Sequence, residues 1–94
     1  MRRRVHILVS GRVQGVGYRA SAYEKAASLG LSGWVRNTTD GDVEILAEGS
    51  AAEITAFIEW CGRGPRWARV DGLDVLDEEP PAGVFADFSV LRDG

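Results

Sequence analysis

Apolar and polar residues alternate through the first stretch of the chain. Val5, Ile7 and Val9 interleave with His6, Leu8 and Ser10, so Arg4 to Gly11 predicts a strand with two unlike faces. Gly15 and Gly17 interrupt that pattern and mark a loop. From Ala20 to Leu29 the period lengthens: Ala22, Ala26 and Leu29 share one helical stripe, and Gly30 stands where a C-terminal cap belongs. Leu31 to Asn37 predicts a second strand, Thr38-Thr39-Asp40-Gly41 a turn, and Val43 to Ala47 the return strand of a hairpin. After Gly49-Ser50, Ile54, Phe57, Ile58 and Cys61 fall at i, i+3, i+4 and i+7, the spacing of a second helix, which Gly62, Gly64 and Pro65 end. Val70 to Asp77 predicts a fourth strand, with Leu73 and Val75 on one face and Val70 out of phase. Pro80-Pro81 breaks it, and Phe85 to Leu91 predicts a short last strand at an edge.

The order is therefore βαββαβ with an extra C-terminal strand. Two helices covering one face of an antiparallel sheet is the natural packing for that order, an α+β, ferredoxin-like sandwich. No linker, repeat or low-complexity stretch divides residues 1–94, which read as a single domain.

Composition narrows the function classes. The chain is too short for a doubly wound nucleotide fold or a β/α barrel. Its 11 Lys+Arg against 14 Asp+Glu give a net charge of −3, against the basic balance of a nucleic-acid coat. The single cysteine, Cys61, excludes an internal disulfide, and its apolar surroundings predict a buried thiol. Arg2-Arg3-Arg4 precedes an apolar run too short for a signal peptide, and no segment reaches membrane-span length, so a cytoplasmic protein without a membrane role is expected. The three arginines read as a solvated strand flank rather than a nucleic-acid arm.

The most informative segment is Gly11-Arg12-Val13-Gln14-Gly15-Val16-Gly17-Tyr18-Arg19, between a strand end and a helix start. Two glycines allow positive φ values, so successive N–H groups can turn into one concavity. The following helix adds its own unpaired N–H groups and the positive end of its dipole. Arg19 can add a planar, two-pronged donor matched to phosphate oxygens. The alternative is that the glycines only make a tight turn. A Walker loop does not fit the spacing. Gly15-x-Gly17-x-x-Ala20 satisfies the short dinucleotide pattern, but the predicted antiparallel sheet lacks the fold which that pattern needs. Asn37, where the second strand ends, reads either as an Asx turn or as a carboxamide that holds a water.

The segment from Gly11 to Arg19 resembles the first signature of the acylphosphatases. Gly33-Trp34-Val35-Arg36-Asn37, followed by Gly41-Asp42-Val43 and Gly49, resembles the second, and Gly64-Pro65-Arg66-Trp67-Ala68-Arg69-Val70-Asp71 is similar to the family's segment before the fourth strand. Tyr18 stands where phenylalanine is frequent, a departure expected to alter packing more than chemistry. The resemblance implies hydrolysis of a carboxyl–phosphate anhydride to a carboxylate and inorganic phosphate. It implies that Arg19 and the backbone amides of Gln14, Gly15, Val16, Gly17 and Tyr18 bind the phosphoryl group, and that Asn37 positions the attacking water. It implies no metal, no cofactor and no phosphoenzyme, with a small acyl phosphate as the one partner and a monomer as the default. A non-catalytic acyl-phosphate-binding module of the same fold is the alternative. An RNA-binding domain of this topology would need aromatic residues on a central strand, and Val43-Glu44-Ile45-Leu46-Ala47 has none. His6 reads as structural or solvent-facing, Trp34 as support for the site strand, and Trp60 and Trp67 as packing residues or an exposed patch.

Overall fold

A strand that must bury one face and wet the other needs neighbours on both sides. In the computed structural model, which describes residues 1–79 and 87–91, that strand is β1 (Arg2–Arg12). It leads through a loop to α1 (Tyr18–Ser28), then to β2 (Ser32–Asn37), β3 (Val43–Ser50), α2 (Ala51–Arg63), β4 (Arg69–Glu78) and β5 (Phe88–Val90). The sheet order is β4-β1-β3-β2-β5. Val5, Ile7, Val9, Val35, Val43, Ile45 and Ala47 send their side chains to one face, where they are wholly buried with Ala22 and Ala26 of α1 and Ile54, Phe57 and Cys61 of α2. Both helices thus cover one face of the sheet. The small side chains of Ala22 and Ala26 let α1 lie close over β2 and β5.

Sheet direction departs from expectation at one edge. β1 pairs antiparallel with β3 and β4, and β2 pairs antiparallel with β3, but β5 runs parallel to β2. The sheet is mixed rather than wholly antiparallel. β4 and β5 lie at opposite edges and run in opposite directions, so a strand returning from β4 must match β2. Hydrophobic alternation reports which face a strand buries and carries nothing about its direction. The expected proline break at Pro80-Pro81, and Phe85 within the last strand, lie outside the described residues.

Other differences have local causes. Gly17 takes φ 78° and acts as the cap of α1, so the helix begins at Tyr18, two residues before the apolar stripe announces it. Ser50 caps α2: its Oγ accepts from the Glu53 N–H at 3.3 Å and donates to the Glu53 carboxylate at 2.7 Å. Val70 falls out of phase with Leu73 because the β1–β4 register shifts between Ser10 and Gly11. That bulge adds one residue to β4, so Val70 and Leu73 both reach the core.

The arginine cluster is a solvated flank only in part: Arg2 is exposed and Arg3 half-buried, but Arg4 is buried, and all three are paired with carboxylates. Arg4 is 8% exposed and donates from Nε and Nη2 to Glu48 Oε1 at 3.0 and 2.8 Å, and Glu48 is 2% exposed. Arg2 donates to the other Glu48 oxygen at 2.7 Å, and Arg3 reaches Asp77 at 2.7 Å. Cross-strand pairing of β1 with β3 and β4 places a carboxylate beside each guanidinium. His6 lies 2.6 Å from Glu44, which also accepts from Arg36 at 2.7 Å, and Arg36 in turn lies over the Trp34 ring.

Candidate active site

Val13, Gly15, Gly17, Tyr18, Arg19, Ala20, Asn37 and Val90 line a pocket of about 300 Å³. That volume is at the small end of ligand sites and suits a compact molecule. Its floor is the turn between β1 and α1. Gly15 (φ 74°) and Gly17 (φ 78°) hold left-handed backbone that a side chain would strain, and the chain folds back tightly enough to bring the loop against the helix start. Gly17 offers no side-chain cap, and no acidic residue sits in the first turn of α1. The N–H groups there have no intrahelical carbonyl to bond, and the helix dipole adds positive potential, so the floor suits an anion.

Arg19 forms the cationic wall. Its Nη1 donates to the carbonyl of Leu91, just past β5, at 3.1 Å. The bond ties the side chain to the sheet edge beside the pocket. Facing it is Asn37, the last residue of β2, which pairs with Val43 in the hairpin. Asn37 is 7% exposed, and its Oδ1 is buried with no hydrogen-bond partner among the described residues. An Asx turn would have used that oxygen on a local N–H. Here the turn is closed by others: Asp42 N–H donates to Thr38 Oγ1 at 3.1 Å, and Thr38 N–H to the Asp42 carbonyl at 2.9 Å. A buried unpaired acceptor costs on the order of 1–3 kcal/mol, so its place in a ligand-sized pocket points to something it accepts from.

The pocket brings together Gly15, Gly17, Tyr18, Arg19 and Asn37. The other two loop residues named from the sequence do not wall it. Val16 packs against the core, and Gln14 turns its side chain toward the hairpin. The Tyr18 side chain is 1% exposed, and its hydroxyl donates to the Cys61 carbonyl at 2.8 Å while its ring lies 5.4 Å from Trp60. Burial pushes its phenol far above the ordinary range, so the hydroxyl stays a donor. Burial likewise raises the Cys61 thiol to about 12, which keeps it protonated and unreactive at neutral pH. Trp60 is a packing residue, stacked 6.1 Å from Phe57, whereas Trp67 is 70% exposed beneath Arg66. Val13, Ala20 and Val90 were not legible as site residues. Val13 and Ala20 flank the glycine motif without a chemical signature, and Val90 arrives only through the pairing of β5 with β2.

Among the described residues, no group of three or more His, Cys, Asp or Glu side chains is placed to hold a metal ion, and no helix is long and apolar enough to cross a membrane. A model of the acylphosphatase family matches residues 5–90. The chain is 60% identical to an acylphosphatase of Methylococcus capsulatus over 97% of its own length and 98% of that protein's. It is 54% identical to an acylphosphatase of Marinobacter nauticus, covering 90% of this chain and 91% of that one. Its fold superposes on the crystal structure of an acylphosphatase from Bacillus subtilis with a TM-score of 0.90 at 37% identity, covering 97% and 99% of the two chains.

Proposed function

The chain belongs to the acylphosphatase family and hydrolyses acyl phosphates, and from that premise we propose how its residues divide the work. The phosphoryl group sits against the Arg19 guanidinium and on the backbone amides of the loop from Gln14 to Tyr18, of which Gly15, Gly17 and Tyr18 line the pocket and Gln14 and Val16 contribute only main chain. Asn37 Oδ1 accepts a hydrogen bond from a water and aims its lone pair at phosphorus. The water oxygen bonds to phosphorus, the bond from phosphorus to the carboxylate oxygen breaks with its electron pair going to that oxygen, and both water protons stay on the phosphate, so the products are a carboxylate and dihydrogen phosphate. A carboxylate leaves without being protonated, so no strong acid is required at that oxygen. What remains is to stabilise charge spreading over the equatorial oxygens, which fixed amides and a planar guanidinium do with little reorganisation.

The observation that carries this reading is the buried Asn37 Oδ1, without a hydrogen-bond partner among the described residues, in the same pocket as Arg19 and the glycine loop. An orphaned acceptor suits a residue that holds a water in the working enzyme. The test is Arg19→Lys. Lysine offers a point charge in place of the planar fork, and loss of one such donor costs about 2.7–4 kcal/mol, a 10²- to 10³-fold fall in kcat/KM. Turnover within a few-fold of wild type would remove Arg19 from its role. The reading extends to a cytoplasmic, monomeric, single-domain enzyme over residues 1–94. It needs no metal or cofactor and no nucleic-acid partner, in keeping with a net charge of −3.

A further inference from the structure

We propose that the Gln14 side chain is a positioning residue that sets the distance between the phosphate loop and Asn37, an inference that rests on the division of labour above. Gln14 lies in the loop, yet its carboxamide leaves the loop and reaches the β2–β3 turn. Its amino group, Nε2, donates to the Thr38 carbonyl and to the Asp42 carbonyl, both at 2.8 Å. Those two oxygens bracket the turn. Thr38 directly follows Asn37 in the chain, and Asp42 directly precedes Val43, the strand partner of Asn37.

The two parts of the site come from segments more than twenty residues apart in sequence, and one amide spans them. Loop backbone holding the phosphoryl group and a hairpin end holding the water must be fixed relative to each other for in-line attack. A misplacement of about 1 Å at such a site costs on the order of 10²-fold in rate. Both hydrogens of the amino group are used, so the geometry is set in two directions at once. A carboxylate could not substitute, because it would face two carbonyl oxygens with no hydrogen to give. The role is distinct from the backbone amide of the same residue, which faces the phosphoryl group in the reading above.

The test is a double-mutant cycle on the full chain with a small acyl phosphate as substrate. Gln14→Met keeps length and neutrality and removes both donors. It is expected to lower kcat about tenfold or more while KM and the inhibition constant of inorganic phosphate stay within about threefold. In an Asn37→Ala background it should lower kcat by less than about twofold, because the residue through which it acts is gone. Gln14→Ala goes through the same cycle and serves where Gln14→Met does not fold. A full Gln14→Met loss in both backgrounds overturns the proposal, as does a lower Tm with unchanged kcat, or phosphate affinity falling in step with rate. Normal turnover by Asn37→Ala instead refutes the reading beneath it.

Discussion

Glu48 is a place where a single substitution should hurt the fold without touching the pocket. Its carboxylate is 2% exposed and accepts from Arg2 at 2.7 Å and from Arg4 at 3.0 and 2.8 Å. Arg4 is 8% exposed, so Glu48→Ala leaves a buried guanidinium without the carboxylate that accepts two of its hydrogen bonds. Breaking a buried pair from one side costs about 3–5 kcal/mol. The low end applies here, because Arg2 is 58% exposed and water is one side chain away. A loss of about 3 kcal/mol is a large share of the 5–15 kcal/mol that a domain of this size holds, and it lowers Tm by roughly 12–24 °C. Glu48→Gln, which keeps an acceptor, should lose about half as much. The sign of the pH effect follows from the same contacts. The Arg2 hydrogen bond, opposed by burial and aided by Arg4, holds the Glu48 carboxyl below the usual carboxylate range. A depressed carboxylate contributes stability above its unfolded pKa and loses it as pH falls through the folded value, so the gap between wild type and Glu48→Gln should close below about pH 4. Urea unfolding followed by circular dichroism from pH 7 to pH 3 measures both effects. A Glu48→Ala cost below about 1 kcal/mol, or a Gln gap that does not change with pH, would show that the cluster is decorative.

Two further outcomes follow from the site's supports. Tyr18→Phe should lose about 1 kcal/mol, or roughly 4–8 °C in Tm, because it orphans the buried Cys61 carbonyl, while kcat stays at the wild-type value; calorimetry beside a rate assay checks the split. Gly17→Ala meets no atom within 4 Å but must hold φ 78°, a strain of about 1–2 kcal/mol that should appear as weaker inhibition by inorganic phosphate, measured by competition against substrate turnover.

The element order, both helices, the hairpin turn and the Arg19–Asn37 pairing were legible because they follow from periodicity and from two long motifs. Three things were not. The parallel pairing of β5 depends on which edge the chain returns to, and alternation along Phe88–Val90 is the same either way. The pairing of Arg2, Arg3 and Arg4 and the burial of Arg4 depend on carboxylates from β3 and β4, more than forty residues away, and local charge counting reads such a run as solvated. The Gln14 bridge is invisible for the same reason: its partners are backbone carbonyls, which every sequence supplies and none advertises. The tyrosine in place of phenylalanine shows the reverse case, where a one-atom departure in sequence has a visible partner in the fold, the Cys61 carbonyl.

The most direct test of the catalytic assignment is phosphate release from a small acyl phosphate in the presence of EDTA, with wild type and Asn37→Ala measured side by side and inorganic phosphate titrated as inhibitor. Wild type should turn over undiminished by the chelator. Asn37→Ala should lose kcat by about 10²-fold while inorganic phosphate inhibits it about as well as it inhibits wild type. Loss of wild-type activity with EDTA, or an Asn37→Ala enzyme that keeps its kcat and loses only phosphate affinity, would contradict the assignment of Asn37 to the water and of the loop and Arg19 to the phosphoryl group.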